Sequence, residues 1–269
     1  MSQNYSDFGC VYFDTNILSL VVEHTEWYRS LFNLLFRNHL KIAFSDSLLA
    51  ELSKATGKQD DFTTFFTIFP SAEAKSFVTI VDEEVKSYPK MRNNHFLVPS
   101  NSLPSKQPVT KGLLFDRVME SRKRQQHYVK RIRQQMNYVR SNFTPSTKGK
   151  YTKEQADVFV WLITMQWLRG SHPSFMKKLN DDGVLLRANA FLSIQLYAYY
   201  VYYKYYLDNK IPREVSEFSG LFHLFYFPYC KLIVVERDMC NVLNEIKSDC
   251  KVLDGVEVKN ADFFSDQQY

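Results

Sequence analysis

A chain of 269 residues, 45% of them hydrophobic and 16% aromatic, can bury a sizeable core in one large domain or two small ones. Residues 1–9 are polar and lack the basic and apolar regions of a signal peptide, so we expect a cytoplasmic protein with reduced cysteines. The four cysteines form no CxxC pair and have no histidine at metal spacing, which excludes an ordinary zinc site.

The formal charge of +5 is unevenly distributed along the chain. Between Lys106 and Lys153 there are 13 Lys and Arg residues against two acids, whereas the remaining residues carry more acidic than basic groups. One strongly basic segment on an acidic body indicates an anionic partner. The alternative is an ordinary solvated helix face.

The first predicted elements are a strand and a helix. Val11–Phe13 has the composition of a buried strand, and apolar residues continue from Ile17 to Val22 at helical spacing. Asp14 stands between the two, where it could cap the helix or face the ligand crevice of an open α/β sheet. Further elements follow in order: a helix at Thr25–His39, a strand at Lys41–Ser45, a helix capped by Ser45, a helix at Asp60–Phe69 and a strand at Ser76–Val81.

The middle of the chain changes in composition. Tyr88–Lys111 contains four prolines and reads as a linker or surface loop. Gly112–Phe143 is predicted as one long helix with an apolar stripe, followed by an apolar helix at Glu154–Arg169. The basic residues on the other faces of the long helix are Arg122, Lys123, Arg124, Lys130, Arg131, Arg133 and Arg140.

A tyrosine-rich segment follows. Val184–Asn209 is predicted as a helix and contains "YAYYVYYKYY", with seven tyrosines in ten residues. Polar residues such as Arg187 and Lys204 interrupt it, which excludes a membrane span. The tyrosines could stack on nucleic-acid bases, but a core helix with hydroxyls at its edges is the commoner arrangement.

The C-terminal part returns to alternating strands and helices. Pro212 is predicted at the start of a helix, and "KLIVV" at Lys231–Val235 as a buried strand. A helix at Asp238–Ile246 follows, with Asp238 as its predicted N-cap, and "KVLDG" is expected to form a last strand.

Four acids occupy comparable positions in this order of elements. Asp14 and Glu236 end predicted strands, whereas Glu51 and Glu217 lie on predicted helices. Carboxylates that converge at one sheet edge repel each other unless a cation neutralises them. Oxygen ligands favour Mg²⁺ or Mn²⁺, and such an ion can activate water for phosphodiester hydrolysis. Taken alone, Glu51 is typical of an exposed helix residue.

The chain resembles the PIN-domain nucleases in three stretches. They are "DTN" at Asp14–Asn16, "SLLAEL" with Glu51, and "SEFSGLFHLFYFPYCKLIVVERDM" with Glu217 and Glu236. The resemblance implies that Asp14, Glu51, Glu217 and Glu236 bind one or two Mg²⁺ or Mn²⁺ ions. Asn16 would be polar support, although such a residue is more often a turn or cap. His223 is more typical of a packed core histidine than of a catalytic base.

The resemblance implies a three-layer α/β/α PIN-like fold with a central parallel sheet. The expected organisation is a core at residues 1–87 and 184–269 with a basic helical insertion at 88–183. The expected activity is metal-dependent endonuclease cleavage, with RNA as substrate or single-stranded DNA in its place. Because the late acids are glutamates, the alternative is a catalytically silent PIN-like protein that binds nucleic acid or a partner protein as a scaffold. The basic helix equally suits an acidic partner such as a cognate inhibitor.

Overall fold

The computed structural model describes residues 9–52, 57–88, 149–207 and 220–265, together with 119, 123, 129–130, 132–134, 137 and 141–145. Five parallel strands form one sheet in the order β3-β2-β1-β4-β5. Their bounds are β1 Gly9–Phe13, β2 Leu40–Phe44, β3 Ser71–Glu73, β4 Leu232–Val234 and β5 Glu257–Lys259. The general α/β fold predicted from the sequence is confirmed.

Helices cover both faces of the sheet. Their bounds are α1 Thr15–Glu23, α2 Tyr28–Arg37, α3 Asp46–Leu52, α4 Gln59–Ile68, α5 Phe77–Ser87, α6 Ala156–Ser171, α7 Pro173–Asp181, α8 Leu192–Val201, α9 Arg237–Asp249 and α10 Asp262–Ser265. A π-helical turn, Tyr202–Leu207, extends α8, and 3₁₀ turns lie at Thr25–Trp27, Lys153–Gln155, Ala188–Ala190, Leu221–Phe225, Phe227–Tyr229 and Lys251–Leu253. Within the described part of the chain, no helix combines the length and apolar character needed to cross a membrane.

The core consists of two hydrophobic clusters, one on each face of the sheet, and the side chains of β1 alternate between them. Val11 and Phe13 pack with α1 to α4 on one face, whereas Cys10 and Tyr12 pack with α5 to α9 on the other. Successive strand residues point to opposite faces, so each face of β1 contributes to a different cluster. Both faces of a parallel sheet are covered in this way.

The helices that follow β1 and β4 therefore lie on opposite faces of the sheet. Helix α1 contributes Ile17 and Leu18 to one cluster, and α9 contributes Leu243 and Ile246 to the other. Because β1 and β4 are neighbours, their carboxyl ends lie side by side, and open α/β sheets have a crevice at such a position. This is the topological switch point at which open α/β sheets bind ligands.

Part of the region predicted as an insertion belongs to the hydrophobic cluster that contains Cys10 and Tyr12, the second hydrophobic cluster. Val129, Ile132 and Phe143 lie in it, together with buried residues of α6 and α7 and with Tyr12 and Ile233 of the sheet. The seven tyrosines of the tyrosine-rich segment are all buried, so the interpretation of this helix as core is confirmed. Within the described residues, the hydroxyl of Tyr197 has no hydrogen-bond partner.

Two predicted strands are wrong. Ser76–Val81 is the start of α5: the Ser76 hydroxyl accepts the Thr79 N–H at 3.2 Å as the helix cap, and Phe77, Ile80 and Val81 are buried at helical spacing. The segment "KVLDG" forms a 3₁₀ turn at Lys251–Leu253 instead of a strand. Gly255 ends that turn at φ 79°, a conformation that glycine adopts readily, and β5 follows it.

The helix predicted at Val184–Asn209 is shorter than expected, since α8 begins at Leu192 after a 3₁₀ turn. The predicted helix at Thr25–His39 begins with a 3₁₀ turn and becomes α-helical at Tyr28. All four cysteines are free thiols. Burial raises the pKa of the Cys10 thiol to about 11, which makes it a poor nucleophile at neutral pH.

A buried carboxylate links α5 to the start of α8. Glu84 is 2% exposed and accepts the backbone N–H of Ser193 at 2.9 Å and its hydroxyl at 2.6 Å. The Tyr229 hydroxyl also donates to Glu84. Burial raises the pKa of Glu84 to about 7, although these three hydrogen bonds act in the opposite direction.

The Glu84→Gln variant is expected to have a flatter dependence of stability on pH than the wild type. The pKa of Glu84 rises from 4.5 in the unfolded chain to about 7 in the folded protein. The contribution of Glu84 to the free energy of unfolding is therefore fully present below pH 4.5 and is lost as the pH rises through about 7. For one group this slope is at most about 1.4 kcal/mol per pH unit. Urea unfolding at pH 5 and pH 8 measures it. Equal slopes in both proteins would contradict this role of Glu84.

Candidate active site at the switch point

Asp14 joins the two strand ends at the switch point. Its Oδ1 accepts the Ile17 N–H at 2.8 Å, and its Oδ2 accepts the Glu236 N–H at 2.8 Å. The first bond caps α1, so the interpretation of Asp14 as a helix N-cap is correct but does not account for the second bond. The second bond crosses from β1 to the residue after β4, a contact that a helix cap alone does not require.

Asp14 is 8% exposed. Burial raises its pKa to about 6, against the backbone N–H groups of Ile17 and Glu236, which lower it. The His223 imidazole also lowers this pKa, and the Glu236 carboxylate raises it. The hydrogen bonds to Asp14 therefore offset only part of the cost of burying its negative charge. A cation beside the carboxylate would stabilise the ionised form further.

Glu236 occupies the N-cap position of α9 without a capping bond from its side chain. Instead, its Oε1 accepts a hydrogen bond from the Asn16 amide, with Nδ2 at 2.5 Å. Asp238 is therefore not the N-cap, contrary to the sequence prediction. It lies in the first turn of the helix, one residue after its start, because the chain becomes helical immediately after Glu236.

Glu51 of α3 reaches the same region through two donors. The Thr15 hydroxyl donates to Glu51 Oε2, and His223 Nε2 lies 3.2 Å from the same oxygen. The Glu51 side chain is 16% exposed and that of His223 is 2% exposed. The prediction of His223 as a packed histidine is correct for its burial, but both ring nitrogens make polar contacts.

A buried chain of hydroxyls continues from His223 into the core. His223 Nδ1 lies 2.6 Å from the Tyr12 hydroxyl, which also bonds the Ser45 hydroxyl. Ser45 in turn accepts the Leu48 N–H at 3.1 Å, as the predicted cap of α3. If Tyr12 donates to Nδ1, the Nε2 proton of His223 points at Glu51, which fixes the direction of that carboxylate. Sequence reasoning missed this chain.

Sequence reasoning also missed the contact between Tyr200 and Lys204. Lys204 Nζ donates to the Tyr200 hydroxyl at 3.1 Å. Burial raises the pKa of Tyr200, and the nearby carboxylates of Asp238, Glu236 and Asp14 raise it further. A single lysine among tyrosines was the available sequence signal.

Several predicted site residues lie outside the described residues. They are Glu217 and the basic residues Arg122, Arg124, Arg131 and Arg140. Lys123, Lys130 and Arg133 are described, helical and exposed, and Val129 and Ile132 of the same segment are buried. The described part of this segment is thus an amphipathic helix with basic residues on its solvent side.

The fit of a metal ion depends on the donors that the crevice presents. Among the described residues, no three His, Cys, Asp or Glu side chains form a group that could hold a metal. The two strand-end acids are joined by the hydrogen bond from the Glu236 backbone N–H to Asp14 Oδ2, and each carries a carboxylate. Mg²⁺ keeps several waters and is commonly bound by one or two carboxylates plus substrate phosphates, so the pair suits it.

Comparison with known proteins adds no assignment: the chain matches no protein-family model, no curated protein and no solved structure. Function is therefore inferred from the crevice itself. Two features distinguish this crevice from the rest of the described surface. It lies at the switch point of the sheet, and it brings Asp14, Asn16 and Glu236 into direct contact, with Glu51 linked through Thr15.

Proposed function

We propose that the chain is a metal-dependent endonuclease of PIN type that hydrolyses phosphodiester bonds in RNA. The observation that carries the proposal is the meeting of Asp14 and Glu236 at the switch point of a parallel sheet. The three-layer PIN-like arrangement is part of the proposal, supported by the strand order and by hydrophobic clusters on both faces of the sheet.

In this proposal, Asp14 and Glu236 hold Mg²⁺ or Mn²⁺, and Glu51 and Glu217 complete the acidic set. The bound ion would supply a water nucleophile at neutral pH and offset charge on the leaving oxygen. Asn16 orients Glu236 through its amide, and Thr15 and His223 orient Glu51. Pre-oriented carboxylates lower the cost of organising the site during the reaction.

The basic helix would bind the phosphate backbone without reading bases. Changing Lys123, Lys130 and Arg133 to Gln is expected to weaken RNA binding for all sequences. The slope of log K against log salt should fall by about 0.7 for each phosphate that the variant no longer neutralises. Fluorescence anisotropy in EDTA over a salt series measures this slope.

The matched control for that variant changes Lys177, Lys178 and Lys251 to Gln. These residues are also exposed, and the variant loses the same formal charge from other surface positions. An equal reduction of slope in both variants would mean that net charge alone drives binding. An unchanged slope in the basic-helix variant would leave that helix as a solvated surface or as the site of an acidic partner protein such as an inhibitor.

The second candidate function is a catalytically silent PIN-like protein that binds nucleic acid. It is favoured by the protein's own donors to the acids: Glu51 is held by Thr15 and His223, and Glu236 is held by Asn16. Carboxylates satisfied in this way need a metal less than isolated ones do.

One experiment separates the two candidates. Labelled single-stranded RNA, and DNA of the same sequence, are incubated with the protein and Mn²⁺, with and without EDTA, while Mn²⁺ binding is measured by calorimetry. Cleavage that needs Mn²⁺ supports the nuclease. Nucleic-acid binding without Mn²⁺ binding or cleavage supports the silent protein.

A further inference from the structure

A buried hydrogen-bond network leads from the sheet to Glu51. It runs from the Ser45 hydroxyl through the Tyr12 hydroxyl and the His223 imidazole to the Glu51 carboxylate. Ser45 and Tyr12 are fully buried, and His223 is nearly so. Buried polar atoms are satisfied by protein partners, so every donor and acceptor in this network needs a partner within the protein.

The two ends of the network fix the direction of its hydrogen bonds. Ser45 Oγ accepts the Leu48 N–H at 3.1 Å, and a backbone N–H can only donate. His223 Nε2 lies 3.2 Å from Glu51 Oε2, and an ionised carboxylate can only accept. Nε2 therefore carries a proton. Nδ1, which lies 2.6 Å from the Tyr12 hydroxyl, is then the acceptor of the neutral ring.

The reverse direction leaves a buried proton without an acceptor. A proton on Nδ1 of His223 would donate to Tyr12, and the Tyr12 hydroxyl would then donate to Ser45. Ser45 Oγ would accept from both Tyr12 and the Leu48 N–H, and among the described residues its own proton has no further acceptor. Leaving a buried donor unsatisfied is costly, so the geometry selects the Nε2–H form of His223.

The hydroxyl of Tyr12 is held in position by neighbouring aromatic rings. The Tyr12 ring stacks on that of Tyr226 with the centroids 5.7 Å apart, and it meets the edge of Phe227 at 5.4 Å. Tyr226 and Phe227 directly follow the 3₁₀ turn that contains His223. The ring packing and the hydrogen bond to Nδ1 therefore fix Tyr12 and His223 relative to each other.

We propose that Tyr12 is a positioning residue of the crevice, which fixes His223 as an Nε2–H donor to Glu51. The Thr15 hydroxyl donates to the same oxygen of Glu51, and Thr15 directly follows Asp14 in the sequence. The two donors thus hold the carboxylate next to the end of β1. The inference rests on the proposed function where it concerns cleavage, since a group already held in place needs less reorganisation during the reaction.

Ring-nitrogen NMR tests the direction of the network. In protein labelled with ¹⁵N in histidine, long-range correlation spectra distinguish protonated from unprotonated ring nitrogens. His223→Gln identifies the signals of this ring among those of the six histidines. The wild type at neutral pH is expected to show a protonated Nε2 and an unprotonated Nδ1. Tyr12→Phe should move the Nδ1 resonance to that of a nitrogen without a hydrogen bond.

Cleavage kinetics test the positioning role, and Tyr197→Phe is the matched control. Tyr197 is also fully buried, and its hydroxyl has no hydrogen-bond partner among the described residues. Tyr12→Phe is expected to lower kcat for Mn²⁺-dependent RNA cleavage about tenfold, the scale of one lost hydrogen bond. Its KM should stay near that of the wild type, because Tyr12 lies in the core and does not touch the substrate. Tyr197→Phe should change neither constant.

A proton on Nδ1 in the wild type would overturn the inference, and that measurement requires no stable variant of Tyr12. Unchanged kcat in Tyr12→Phe, or equal losses in Tyr12→Phe and Tyr197→Phe, would overturn it as well. Thermal unfolding of each variant separates a local effect from unfolding of the protein. The expected spectra in a wild type that does not cleave would reject the nuclease and keep the Nε2–H network. Cleavage by a wild type with a protonated Nδ1 would do the reverse.

Discussion

Replacing Asp14 with Asn is expected to abolish Mn²⁺-dependent cleavage of single-stranded RNA. The substitution removes the charge at the switch point and keeps the size of the side chain. Loss of an electrostatic group that acts in the transition state costs at least about 100-fold in rate. Cleavage rates of the two proteins under single-turnover conditions measure the effect. A variant that cleaves as fast as the wild type would show that Asp14 is not a metal ligand.

The same variant tests whether Asp14 is only a structural residue. Both of its oxygens accept backbone N–H groups, whereas Asn offers one oxygen and turns an NH₂ group toward Ile17 or Glu236. One hydrogen bond is removed, at a cost of about 1–3 kcal/mol for a buried group. Burial of the charge is also relieved, which acts in the opposite direction. We therefore expect a small net change in the melting temperature.

Ser76→Ala is the control for a residue that caps a helix but lies outside the proposed active site. Ser76 caps α5 by accepting the Thr79 N–H, and its removal is expected to cost about 1 kcal/mol in stability while cleavage continues. If Asp14→Asn behaves like Ser76→Ala, with reduced stability and full activity, the function of Asp14 is limited to capping. Loss of activity in Asp14→Asn alone separates the two roles.

The parts of the fold that could be predicted from the sequence are those with short-range signals. β1, β2 and β4 are nearly continuous apolar runs, as expected for strands buried on both faces. The β-branched residues of Ser76–Val81 favour a strand, although Phe77, Ile80 and Val81 also fit a helix. Only the packing of α5 within the second hydrophobic cluster decides between the strand and the helix.

Asp14 and Glu236 could be predicted as site residues because both are acids at the carboxyl ends of predicted strands. The bond between Asp14 and the Glu236 N–H spans 222 positions of sequence, and no local pattern encodes it. The same holds for the contacts of His223 with Tyr12 and Glu51.

The acids at the start of α9 are expected to differ sharply in function. Glu236→Gln should cost at least about 100-fold in cleavage rate, because a charge at the strand end is removed. Its stability should be nearly unchanged, because the side chain is exposed and makes no capping bond. A Gln carbonyl can still accept the Asn16 amide that Glu236 Oε1 accepts now, so the geometry of the crevice is retained.

Asp238→Ala is the matched variant two residues away. Asp238 is exposed in the first turn of α9, where an acid stabilises the helix dipole by about 0.3–1 kcal/mol, less than a true cap. The variant should therefore melt slightly lower and cleave at nearly the wild-type rate. Melting temperature and Mn²⁺-dependent cleavage are measured for both variants. If Asp238→Ala is inactive with unchanged melting while Glu236→Gln is active, Asp238 is the ligand, and the bond between Asn16 and Glu236 only fixes the entry of the chain into α9.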